Sequence, residues 1–138
     1  MRPRWLLGLQ LVAVALLLVS CTVGTDEAKN GVSEFRARVA HGSLTEIYGA
    51  ASPEFRQSAT EEQFHRFMAG LERKLGTWQS AQEPAWNVMR GTSGHFVTLT
   101  YESQFSKGPA IEQFAWRIER GTPVLVGYNV RSSLLVMD

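Results

Sequence analysis

Three histidines, His41, His65 and His95, a lone cysteine, Cys21, and scattered carboxylates are the side chains with which this chain could do chemistry. No two histidines stand three or four residues apart, and no His-x-Glu or His-Glu-x-x-His pattern occurs. The spacing that lets one helix face grip a metal is therefore missing. One cysteine permits neither an intrachain disulfide nor a cysteine metal site. Paired carboxylates do acid–base work only where they converge. Glu61 and Glu62 suit the start of a helix, whose dipole favours them. Glu112 and Glu119 have opposite parity on one predicted strand and do not converge. Gly91-Thr92-Ser93-Gly94 lies between two strands and reads as a hairpin loop, and no Gly-x-Ser-x-Gly nucleophile elbow is present. The expectation is a protein without metal, cofactor or enzymatic activity.

Cys21 has a context of its own. Met1 to Arg4 carries two arginines, and Trp5 to Val19 is a run of 15 mostly apolar residues. That order fits a secretory signal and is shorter than the ~20 residues a membrane-spanning helix needs. The run ends in Leu18-Val19-Ser20-Cys21, which resembles the lipobox of bacterial lipoproteins. The resemblance implies a diacylglyceryl group on the thiol of Cys21, cleavage before it, and a membrane held as partner through the lipid. Acyl chains contribute about 0.8 kcal/mol per buried CH₂, so two or three anchor firmly. Thr22 follows where an aspartate resembles an inner-membrane retention signal, which favours the outer membrane, on the periplasmic side. Residues 1–20 thus read as signal, 21–30 as lipidated cysteine and short tether, and 31–138 as one domain.

Composition agrees with that division. Of the full chain 44% is hydrophobic and 20% charged, the balance of an ordinary globular protein. Removing Arg2 and Arg4 from 14 basic residues leaves the 13 acidic ones one ahead. No basic stripe remains for nucleic acid.

The elements that would position any site divide into helices and then strands. Ala28, Val32, Phe35 and Val39 recur at helical spacing until His41-Gly42, and Leu44, Ile47, Tyr48 and Ala51 repeat the pattern. Ser52-Pro53 is an N-cap residue with proline at the first helical position. Thr60 and Gln63 form a capping-box signature ahead of Phe64, Phe67, Met68, Leu71 and Leu75, with Gly76 as the stop. Phe67 is counted there as core, so Phe67→Ala is expected to cost about 3–5 kcal/mol.

Beyond Gly76 the period becomes two. Thr77 to Met89 is an irregular strand interrupted by Pro84. Val97, Leu99, Tyr101 and Phe105 alternate with polar residues, then Phe114, Trp116 and Ile118, then Val124, Val126, Tyr128 and Val130. Lys107-Gly108-Pro109 and Arg120-Gly121-Thr122-Pro123 are the turns. The fold class is α+β, with about three N-terminal helices packed on a curved antiparallel sheet of about four strands.

This order resembles the nuclear-transport-factor-2-like cone and its cystatin-like relatives. Within them, Phe105 to Glu112, Val126-Gly127-Tyr128-Asn129-Val130 and Tyr48 with Ser52-Pro53-Glu54-Phe55-Arg56 are similar to DUF4019, a family of small envelope proteins of unknown function. The chain departs from it at Pro123, where relatives tend to carry tryptophan. The resemblance implies no catalytic residues.

Two functions fit. The first is a non-enzymatic interaction or accessory module that holds an envelope protein or a second copy of itself through the sheet. The second is a carrier of a small apolar ligand, in a cavity between helices and sheet lined by Tyr48, Phe67, Trp116 and Tyr128. A dry, packed interior would favour the module; a cavity of at least about 300 Å³ with convergent polar groups would favour the carrier. The anchor is testable directly: Cys21→Ser is expected to abolish acylation, and metabolic labelling with a radioactive fatty acid reads it.

Overall fold

Helical spacing followed by alternation becomes helices followed by one antiparallel sheet. A computed structural model describes residues 24–137; the apolar run and Cys21 lie outside the described residues. Four helices come first: α1 (Thr25–Ala40), α2 (Leu44–Ala50), α3 (Pro53–Ser58) and α4 (Glu61–Leu75). Five strands follow: β1 (Trp78–Ala81), β2 (Ala85–Gly91), β3 (Gly94–Phe105), β4 (Gly108–Glu119) and β5 (Thr122–Arg131), then a single 3-10 turn at Ser133–Leu135. The α+β class holds, with one more helix and one more strand than expected.

Each difference has a physical cause. The first helix starts at Thr25, so residues 25–30 are helix and not tether. Asp26 and Glu27 occupy its first turn, where the dipole favours acid, and Ala28 is fully buried. Gly24 precedes it at φ +105, and a methyl group there would lie 2.5 Å from the ring of His95. The extra helix, α3, grows from the Ser52-Pro53 start signal. Ser52 Oγ accepts from Phe55 N–H at 3.1 Å, while Ser52 N–H donates to Leu125 O on β5 at 2.9 Å. That bond ties the helical half to the free edge of the sheet.

α4 carries the expected capping box, with Gln63 N–H donating to Thr60 Oγ1 and Thr60 N–H donating to Gln63 Oε1. Phe64, Met68, Leu71 and Leu75 form its buried stripe. Phe67 does not join them. It lies at the flank of the stripe, 44% exposed, with its ring edge-on to Tyr128.

The fifth strand arises at Pro84. Proline offers no N–H to a ladder, and the expected strand breaks there into β1 and β2, which pair with opposite ends of the long β3. The order is β1/β2–β3–β4–β5, antiparallel throughout and not closed. Two-residue turns join β2 to β3, β3 to β4 and β4 to β5. In the last, Arg120 at φ 51 and Gly121 at φ 78 both take the left-handed region, which suits the twist of a tight hairpin.

One alternation fails. Ala115 pairs with Gly127 but Trp116 pairs with Leu125, so Val126 is an extra residue in β5. The phase flips, and Leu125 takes the core position while Val124 and Val126 stay only partly buried. Val97, Leu99 and Phe114 are wholly enclosed between sheet and helices, against Ala28, Val32 and Phe35 of α1 and the stripe of α4.

Burial separates the two α4 positions. Leu75→Ala is expected to cost about 2–5 kcal/mol, whereas Phe67→Ala, at a half-wet site, costs about 1 kcal/mol; denaturant midpoints of both variants decide it.

Candidate ligand-binding site

The inner row of β4 reads Ala110, Glu112, Phe114, Trp116, because alternation puts every second side chain on the helix side. A carboxylate is thereby forced inside, and Glu112 is 2% exposed. Charge at such depth is costly unless paired and hydrogen-bonded. Arg36 of α1 supplies the charge, its Nη1 donating to Glu112 Oε1 at 2.7 Å. Ser103 Oγ donates to the same oxygen and Tyr128 Oη to Oε2, each at 2.6 Å. Sheet register brings them together: Glu112 sits between Tyr101 of β3 and Val130 of β5, and Ser103 and Tyr128 are two residues away on those strands.

Aromatic faces surround the cation. Arg36 Cζ lies 4.1 Å from the ring centroid of Trp78, 5.1 Å from Tyr101 and 5.5 Å from Phe114. Such contacts stabilise a guanidinium electrostatically. Its Nη2, however, has no hydrogen-bond acceptor. Burial, then the neighbouring carboxylate of Glu112, push the Tyr128 phenol well above the ordinary tyrosine range, so it remains a donor. Burial raises Tyr101 as well.

Beside this cluster lies a cavity of about 320 Å³. α1, the start of α2, α4 and the start of β1 form its walls, which are mainly apolar, with Arg36, Glu112 and Tyr128 among the polar lining. A larger, open depression of about 560 Å³ crosses the sheet from Ser80 to Ser133 and contains no buried charge pair.

Of the four residues expected to line a cavity, one does. Tyr128 reaches it. Phe67 touches Tyr128 from outside. The Tyr48 hydroxyl shares its one proton between Ala59 O at 2.8 Å and Arg56 O at 3.1 Å, and its ring packs on Phe55 and Phe64, so it locks the α2–α4 corner. Trp116 lines a separate void of about 50 Å³ with Gly31 and Leu125. The sequence reading missed Arg36, Glu112, Ser103 and Trp78. Two signals were available: Glu112 shares parity with Phe114 and Trp116, and Arg36 stands four residues after Val32 on the buried face of α1.

The histidines remain apart. His41 Nδ1 contacts Ala37 O, His65 lies 3.6 Å from Glu61, and His95 faces Gly24. Among the described residues no three metal-ligating side chains converge, and no helix is long and apolar enough to cross a membrane.

Tyr128→Phe deprives Glu112 Oε2 of its donor and is expected to cost about 1.5–3 kcal/mol at neutral pH. The raised phenol also sets an alkaline limit. Above about pH 10 the unfolded phenol ionises while the folded one keeps its proton. Stability is therefore complete below that pH and falls as pH climbs toward the folded value. Urea unfolding at neutral and alkaline pH should show a shallower alkaline decline in the variant than in the parent.

No curated protein and no solved structure matches the chain. A family model does, over residues 32–128, a span that begins at the buried Val32 of α1 and ends at Tyr128. The chain belongs to the family described as protein of unknown function, DUF4019.

Proposed function

We propose that this chain is a lipid-anchored cell-envelope protein that carries a small ligand in the cavity beside Glu112. The observation behind this reading is the cavity of about 320 Å³ with a buried Arg36–Glu112–Tyr128 cluster in its wall. Small-molecule sites are mainly apolar hollows with a few convergent polar groups. A buried ion pair is often no better for stability than apolar packing of the same volume. Its presence beside open space therefore supports a binding role.

Other features support a non-enzymatic role. Arg36, Ser103 and Tyr128 already occupy both oxygens of Glu112, which leaves it poorly placed to act as a base. The interaction-module reading has weaker footing. Its best surface residues, Trp86 and Met89, are 53% and 64% exposed, but they pair with Leu99 and Phe96 and so point to opposite faces of the sheet.

The lipobox-like sequence before Thr22 supports a lipid on Cys21, with the outer membrane favoured. Three residues reach at most about 10 Å, so an anchor there would hold Gly24, and the β2–β3 hairpin bearing His95, close to the bilayer. Helices on one face of an open sheet support the cone-like comparison.

Native mass spectrometry on the domain after Cys21, purified gently from a bacterial periplasm, is the test. A mass above the bare chain that disappears on denaturation is expected. A clean bare mass from several preparations, with no binding of added small amphiphiles, would remove the carrier reading.

A further inference from the structure

The carrier reading leaves the chemistry of the ligand open, and the inference here rests on that reading. Two features of the cavity narrow the choice. The first is a donor without an acceptor. Arg36 gives Nη1 to Glu112, but its Nη2 is buried and unpaired. A buried donor left unsatisfied is costly, so an acceptor on a guest has a defined place to go. The indole of Trp78 lies over this guanidinium, on a strand of four residues with irregular register, and is 39% exposed. Of the three rings over the guanidinium it is the nearest and the one that is not buried, so it has the most freedom to move aside.

The second feature is charge. Among the described residues Arg36 is the one basic side chain lining the cavity, and Glu112 already neutralises it. Glu72 on α4 adds a second carboxylate to the wall. A guest bringing its own carboxylate would set a new anion beside the buried Glu112, in a space too apolar to screen it, with the solvent-exposed Glu72 adding a weaker repulsion at the rim. The rest of the lining, including Phe35, Val39, Leu44, Met68 and Phe105, asks for an apolar body. At the ~30 Å³ that a water molecule takes in the liquid, the volume holds about ten heavy atoms.

We propose that the cavity binds an uncharged amphiphile of about ten heavy atoms, whose carbonyl or hydroxyl oxygen accepts from Arg36 Nη2 as Trp78 moves aside. Selectivity is for neutral over anionic heads, set by Glu112 and reinforced at the rim by Glu72. A free fatty acid is the ligand this site refuses.

Octanamide and octanoate are matched probes, equal in heavy atoms and different in charge. Isothermal titration of both into the domain after Cys21 is expected to show octanamide binding at least about ten-fold tighter, a difference of about 1.4 kcal/mol. Octanoate binding as tightly or more tightly would overturn the inference and leave the carrier reading standing. Binding of neither would remove both.

The anchor has separate readouts. Arg36→Lys keeps a cation for Glu112 but has no second amino nitrogen, and is expected to weaken octanamide about ten-fold with little effect on octane. Should that variant not fold, the carbonyl stretch of carbon-13-labelled octanamide on the parent protein decides the matter. A shift to lower frequency on binding is expected, and an unshifted band means that Arg36 does not hold the head group. Glu72→Gln, on the exposed side of α4, is expected to narrow the gap between the two probes; an unchanged gap would take Glu72 out of the selectivity.

Discussion

The carboxylate of Glu112 is placed by a backbone rule that gives it no alternative. A strand whose neighbours Phe114 and Trp116 must face the helices also turns the residue two before them inward. From there the demands spread outward. One cation has to come down from α1, two hydroxyls have to arrive from β3 and β5, and the three strands have to hold register closely enough for bonds of 2.6–2.7 Å. A slip of one residue in either hairpin would turn Ser103 or Tyr128 to the outer face. The cluster therefore acts as a registration device for the centre of the sheet, whatever it contributes to net stability.

The same rule explains why open space lies next to it. Arg36 leans toward Glu112 and under Trp78. The gap between α1 and α4 ends at the Arg36–Glu112–Tyr128 cluster, whose polar atoms are paired with one another except for Arg36 Nη2. An apolar hollow with an ionic wall follows from one strand parity and one helix position.

Much of this was legible beforehand, and unevenly so. Local chemistry announced the starts of α3 and α4, because Ser52-Pro53 and the Thr60–Gln63 box satisfy backbone groups within four residues of themselves. The start of α1 was obscured, since Thr25 to Asn30 is polar apart from Ala28 and its burial depends on distant partners. Val124, Val126, Tyr128 and Val130 alternate perfectly and mislead, because the bulge at Val126 moves Leu125 into the core. Leu125 was the warning, a large aliphatic on the wrong parity. At the site, Glu112 carried a similar warning. Its partners could not be named from spacing, since Arg36 and Ser103 lie 76 and 9 residues away from it in the chain and meet it only through packing. Aromatic type proved a poor guide to the cavity: Tyr48 and Trp116 serve the core, and Phe67 the surface.

The bond from Ser52 to β5 also sets an order of events. The strands join their sequence neighbours through two-residue turns, so the sheet can assemble from local hairpins, which close quickly. The helices enjoy no such independence. Phe35 finds its cover on Phe114 and Tyr128 of the last two strands, and Ser52 waits for the carbonyl of Leu125. A nascent chain emerging from its amino end would thus carry its apolar helical stripes uncovered until almost the whole domain had been synthesised. Uncovered apolar segments of that kind are prone to association, and the cover that Ser52 requires exists only once β5 does.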